Sequence, residues 1–123
     1  MKVKAACILV IDDNEDILFM IKAMLEMKGY TIIAKENAEN IELVIEKVKP
    51  DLILMDMLLA GEDGRAICKI IKKNKAIAQI PIIMISALSD SDISCRAAGA
   101  ACFLAKPFEM GDLLFLVAST IDR

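Results

Sequence analysis

A chain of 123 residues with 57% hydrophobic content is one domain with enough apolar mass to close a core. No apolar run approaches the about 18 residues of a membrane span, and a formal charge of −3 speaks against a nucleic-acid surface. Histidine is absent, which excludes imidazole acid–base catalysis and any role as a phosphohistidine donor.

In chain order, apolar strand-like runs alternate with helical periodicity five times. Strands are expected at about 6–11, 30–34, 52–55, 81–85 and 101–104. The first helix, residues 14–28, carries Met20, Ile21, Met24 and Leu25 on a core face and stops at Gly29. The second, residues 38–48, places Ile41, Val44, Ile45 and Val48 together and ends before Pro50. The third follows Gly64 with Ile67, Ile70 and Ile71. The fourth is short, residues 90–98, with Gly99 as its stop. The fifth, residues 109–121, carries Leu113, Leu114, Leu116 and Val117. Alternating strands and helices with right-handed crossovers predict a doubly wound α/β domain with a parallel sheet. The high apolar content suits strands covered on both faces. No linker or repeat interrupts the pattern, so one domain over 1–123 is expected, with nothing left for an output domain. No secretory signal is visible, because Lys2 and Lys4 lead into an apolar run that ends in two aspartates, and a soluble, cytoplasmic chain is expected.

Chemistry-bearing residues gather at strand ends. Ala5–Ile11 runs into Asp12 and Asp13, Asp51–Met55 into Asp56, and Ala101–Leu104 is followed by Ala105 and Lys106. In parallel order, three carboxylates and one ammonium meet at the carboxyl edge of the sheet, where open α/β sheets bind ligands. Crowded carboxylates repel unless a cation sits among them, and a hard divalent ion prefers oxygen ligands. The pattern points to Mg²⁺ and a phosphoryl reactant. A single aspartate here would serve as a helix cap, but three acids and a lysine at three strand ends are more than capping needs. Lys69, Lys72, Lys73 and Lys75 lack interleaved aromatics and read as a solvated helix face. The four cysteines have no C-x-x-C spacing and read as reduced core thiols.

The runs Ile8–Asp13, Asp51–Asp56 with Gly61–Gly64 after it, Pro81–Ala87 and Gly99–Phe108 together resemble a response-regulator receiver domain. The resemblance covers nearly the whole chain. It implies a flavodoxin-like (βα)5 fold with the strand order of that family, 2-1-3-4-5. It further implies a phosphorylatable signalling switch, stand-alone here, in a two-component phosphorelay. Asp56 would be the phosphoacceptor for a partner's phosphohistidine. Asp12, Asp13, Asp56 and the backbone carbonyl of Leu58 would hold Mg²⁺. Ser86 and Lys106 would contact the phosphoryl oxygens, and Ser86 and Phe103 would form the switch. Lys106-Pro107 resembles the family's cis bond. Ile17, Leu18 and Phe19, with Pro107 and Phe108, would dock a histidine kinase or a histidine phosphotransfer protein, and a downstream effector protein would follow. Neither nucleic acid nor membrane is an implied direct partner, and no reaction beyond the domain's own phosphorylation and dephosphorylation is implied.

Two positions depart from the common pattern. Ala60 stands where proline is usual, which predicts a looser loop, and the stretch from Ser86 to Gly99 is short. Leu58 and Leu88 occupy positions that flank the phosphoryl group in this family, and two leucines predict a long-lived aspartyl phosphate. The alternatives are a Mg²⁺-dependent aspartyl-phosphate phosphatase of the haloacid-dehalogenase type, a non-phosphorylated interaction module, and a receiver fragment of a longer regulator or hybrid kinase. The first places its nucleophile in a D-x-D pattern on the first strand, which adjacent Asp12 and Asp13 do not reproduce. The second would lack a pocket residue, and none is lost here.

Overall fold

A computed structural model describes residues 5–88 and 91–122. The elements are β1 (Cys7–Ile11), α1 (Glu15–Met27), β2 (Thr31–Lys35), α2 (Ile41–Val48), β3 (Leu52–Asp56), β4 (Leu58–Leu59), β5 (Glu62–Asp63), α3 (Gly64–Lys73), β6 (Ile82–Ser86), α4 (Asp92–Ala97), β7 (Cys102–Ala105) and α5 (Met110–Ile121). The five-stranded sheet runs β2-β1-β3-β6-β7, and all four of its strand pairs are parallel. Numbered within that sheet, this is the expected 2-1-3-4-5 order.

Strand alternation builds two cores. Leu9, Ile11, Ile53, Met55, Ile82 and Met84 pack on one face with buried residues of α2, α3 and α4. Their neighbours Ile8, Val10, Leu52, Leu54, Ile83 and Ile85 pack on the other face with α1 and α5. With period-2 side chains and helices on both faces, each of these central strands has to be apolar throughout. Burial is nearly complete along β3 and β6, so a polar residue at their ends is conspicuous.

The helix faces differ from expectation at three places. On α1 the buried stripe is Leu18, Ile21 and Leu25, spaced three and four apart, while Met20 lies exposed. On α3 Cys68 takes the core position expected for Ile70, which is exposed. Helix α2 starts at Ile41 and not at 38, because Asn40 adopts a left-handed backbone (φ 53°) that a helix cannot propagate. Gly29, with φ 94°, ends α1 as expected: its N–H reaches Glu26 O while Tyr30 N–H reaches Leu25 O. The fourth helix is short, and the part of its expected start at Asp90 lies outside the described residues.

The β4–β5 hairpin was not anticipated. It turns on Ala60 and Gly61, both with positive φ (45° and 88°), as a two-residue hairpin turn requires. Behind it, Gly64 admits the start of α3 against the sheet. A Cβ there would lie 2.6 Å from the backbone oxygen of Asp56 and 3.0 Å from Met57 Cα. Only glycine permits that approach.

Candidate functional site

Between β1 and β3 the strand order reverses: the chain leaves β1 toward β2 and returns to β3 on the other side. The carboxyl ends of β1 and β3 therefore flank the crevice where doubly wound sheets bind ligands. Asp12 and Asp13 leave β1 there, Asp56 ends β3, Ser86 ends β6 and Lys106 follows β7. The sequence-separated acids converge: one carboxylate oxygen from each of Asp12, Asp13 and Asp56 lies within 4.8 Å of the others. Asp12 is 1% exposed and Asp56 9%, whereas Asp13 is exposed at the rim.

Each side chain is held by identifiable partners. Lys106 Nζ donates to Asp56 Oδ2 at 2.8 Å and lies 3.5 Å from Asp12 Oδ2. The Lys106 N–H donates to Ser86 O at 2.8 Å, fixing the lysine beside β6, and the Lys106-Pro107 bond is cis. Asp12 Oδ1 accepts the Asn14 N–H at 2.8 Å, and Asn14 in turn caps α1 by accepting from Ile17 N–H. Asp56 Oδ1 accepts the Leu58 N–H at 3.2 Å. Ser86 Oγ accepts the Leu88 N–H at 2.9 Å. Asp13 Oδ2 accepts the Ala60 N–H at 2.8 Å, tying the hairpin turn to the acidic cluster. This corrects the expectation of a looser loop. Proline at position 60 could neither donate that bond nor adopt a φ of 45°, so alanine here tethers the turn.

The electrostatics are unbalanced. Burial pushes the Asp12 carboxyl above the ordinary carboxylate value; the Asn14 N–H opposes this, Asp56 and Asp13 add to it, and Lys106 offsets part. Burial works against the Lys106 charge, but its bond to Asp56 and the negative charges of Asp12 and Asp56 hold its pKa above the ordinary lysine value. Among the described residues three carboxylates face one ammonium, and the buried Asp12 Oδ2 accepts no hydrogen bond. An orphaned buried carboxylate oxygen in an all-oxygen donor set fits a hard divalent cation such as Mg²⁺.

Ile17, Met20, Ala87, Lys106, Pro107 and Phe108 line an apolar groove of about 380 Å³ beside the acids. Phe19 is 75% exposed on the same helix. Leu18, expected on this surface, is 8% exposed and belongs to the core with Ile21 and Leu25. At 100° per residue it turns away from Phe19 toward the sheet. Met20 takes its place at the groove, a swap visible only when the whole helix face is fixed. Phe103, on β7, is half-buried against the core and pairs in register with Met84 of β6, the strand that separates it from Asp56 on β3. Leu58 and Leu88, whose backbone N–H groups reach Asp56 Oδ1 and Ser86 Oγ, have exposed side chains.

Comparison with known proteins agrees with this geometry. The response regulator receiver domain model matches residues 8–118. The chain is 36% identical over 118 residues to the phosphate regulon transcriptional regulatory protein PhoB of Pseudomonas aeruginosa, covering 94% of this chain and 52% of that protein. It is 34% identical to the alkaline phosphatase synthesis transcriptional regulatory protein PhoP of Bacillus subtilis, covering 94% of this chain and 48% of that one. The chain thus spans about half the length of the curated relatives it matches. A crystal structure from Chloroflexus aurantiacus described as a response regulator superposes with a TM-score of 0.91 at 32% identity, covering 98% of this chain and 100% of that one. Among the described residues no helix is long and apolar enough to cross a membrane. By family match, fold and pocket alike, this chain belongs to the response regulator receiver domains, the phosphorylatable signalling domains of two-component systems.

Proposed function

We propose that Asp56 is the phosphoacceptor of this domain and takes its phosphoryl group from a phosphohistidine on a partner histidine kinase or phosphotransfer protein. The observation that carries it is the placement of the Asp56 carboxylate at the switch point, bonded to Lys106 and clustered with Asp12 and Asp13. A carboxylate oxygen of Asp56 attacks phosphorus in line, the phosphorus–nitrogen bond breaks, and the imidazole leaves with the electron pair and takes up a proton.

Asp12, Asp13 and Asp56, with the carbonyl of Leu58, would hold Mg²⁺, whose charge would neutralise phosphoryl oxygens as negative charge gathers on them. Lys106 is a point charge already beside Asp56 and orients one phosphoryl oxygen. Ser86, on the strand next to β3, donates its hydroxyl to another and serves with Phe103 as the conformational switch. The groove beside Lys106, together with the exposed Phe19 of α1, receives the apolar face of the donor's helices. Leu58 and Leu88 offer no hydrogen bond to an attacking water and so prolong the aspartyl phosphate. The domain then acts as a signalling element that turns over only its own phosphoryl group and passes its state to an effector protein. Its net negative charge disfavours direct binding of nucleic acid. A generic phosphatase is disfavoured because the third acid comes from β3 and not from a D-x-D pair on β1.

Intact-mass analysis after incubation with acetyl phosphate and Mg²⁺ tests the assignment. The wild type is expected to gain one phosphoryl adduct and Asp56→Asn none. An adduct that survives Asp56→Asn overturns it.

A further inference from the structure

Helix α4 has six residues, too few to persist by its own backbone bonds, and Cys95 is its buried residue. Cys95 seats it in the core, and a polar network fixes the rest of it. Arg65, at the start of α3, grips Asp63 with its guanidinium: Nε lies 2.9 and 3.1 Å from the two carboxylate oxygens, and Nη2 lies 2.6 Å from Oδ2. The remaining arm, Nη1, donates to Ser94 Oγ on α4 at 3.0 Å. The hydroxyl of Ser94 spends its own proton on Ser91 O at 3.0 Å.

Followed outward, these bonds reach the reactive pair from both sides. In one direction, Asp63 pairs with Leu58 across the hairpin, and the Leu58 N–H rests on Asp56 Oδ1. In the other, the Ser91 N–H donates to Leu88 O, and the Leu88 N–H donates to Ser86 Oγ. Phosphorylation of Asp56 and capture of the phosphoryl group by Ser86 would disturb the two ends at once. The Ser86 hydroxyl is drawn toward a phosphoryl oxygen and away from Leu88, while the Asp56 oxygen under Leu58 N–H loses its negative charge.

We propose that Arg65 is a positioning residue that couples the phosphorylation state of the acidic pocket to the pose of α4, through Asp63 on one side and Ser94 on the other. The proposal rests on the assignment of Asp56 and Ser86 above, and adds a route that does not pass through Phe103. A fork is needed for it: lysine could keep the charge pair with Asp63 but could not hold carboxylate and hydroxyl in one plane. The Asp63–Arg65 pair is partly exposed, so its loss should affect resting stability little. Its consequence lies in how α4 responds.

The test is amide hydrogen exchange at Cys95 and Ala98, read with and without acetyl phosphate and Mg²⁺, with adduct yield measured on the same samples by intact mass. In the wild type, labelling is expected to change exchange at these amides by about fivefold or more. In Arg65→Met and in Ser94→Ala, which leaves the ion pair intact, adduct yield stays at the wild-type level and the change falls below about twofold. A purely structural role would raise exchange equally in both states and keep the wild-type ratio, which overturns the proposal. So does a labelled wild type whose α4 amides do not respond. A wild type that gains no adduct refutes the phosphoacceptor assignment itself, and the coupling falls with it.

Discussion

Asp12→Asn isolates the strain in the acidic pocket. Asp12 is buried, its Oδ2 accepts no hydrogen bond among the described residues, and its two acidic neighbours there lie within 4.8 Å against an ammonium at 3.5 Å. At an effective dielectric of about 20, each neighbour at that limit contributes about 3.5 kcal/mol of repulsion and the ammonium about 4.7 kcal/mol of attraction, leaving about 2 kcal/mol unfavourable. Water screens exposed Asp13 and reduces its share, while the lost hydration of the buried charge adds in the same direction. Asparagine keeps an oxygen for the Asn14 N–H and removes the charge. Without Mg²⁺ at neutral pH, Asp12→Asn is expected to be more stable by about 2 kcal/mol, a rise in Tm of about 8 °C for a domain of this size. The pH dependence has a definite sign. Because the folded-state pKa of Asp12 is raised, its ionisation opposes folding above that pKa and ceases to matter as the carboxyl protonates. The advantage of the variant should therefore shrink as pH falls through the raised pKa. Differential scanning calorimetry with and without millimolar Mg²⁺ measures both effects. The cation should stabilise the wild type by mass action and reduce or reverse the gap. A variant that melts at or below the wild type without Mg²⁺ would refute the electrostatic account.

At Gly64 an added Cβ meets backbone atoms of Asp56 and Met57, so Gly64→Ala should lose about 1–3 kcal/mol in denaturant melts, and an unchanged midpoint would contradict the close packing. Phe19→Arg should slow transfer from a phosphorylated partner while leaving acetyl phosphate labelling unchanged, whereas Leu18→Arg, which buries a charge in the core, should lose both through unfolding. Leu58→Asn and Leu88→Glu should each speed dephosphorylation roughly fivefold, the equivalent of one water-positioning hydrogen bond of about 1 kcal/mol. A double variant that releases phosphate no faster than the wild type would assign the lifetime to other groups.

The strand runs ending in Asp12, Asp56 and Ser86 were legible in the sequence because a strand buried on both faces must be apolar throughout, and a charge at its end stands out. The register between strands kept those ends level, so residues 44 positions apart met as expected. Helical faces were less legible. Met20 and Ile70 are apolar at nearly the right spacing, yet α1 and α3 bury neighbouring residues, because a greasy helix fits several stripes and the sheet it packs on chooses one. The β4–β5 hairpin was hidden because its turn uses alanine at a positive φ, and the bond from Ala60 N–H to Asp13 that holds it is long-range. The path from Asp63 through Arg65 to Ser94 was hidden for a related reason: nothing local pairs residues 65 and 94. The sequence by itself determined the alternation of strands and helices, the two-faced core and the identity of the acids, all consequences of periodicity and of the cost of burying charge. Tertiary structure alone decided which face of each helix turned inward and which side chains bridged elements, because those choices depend on neighbours that the chain brings together only when it folds.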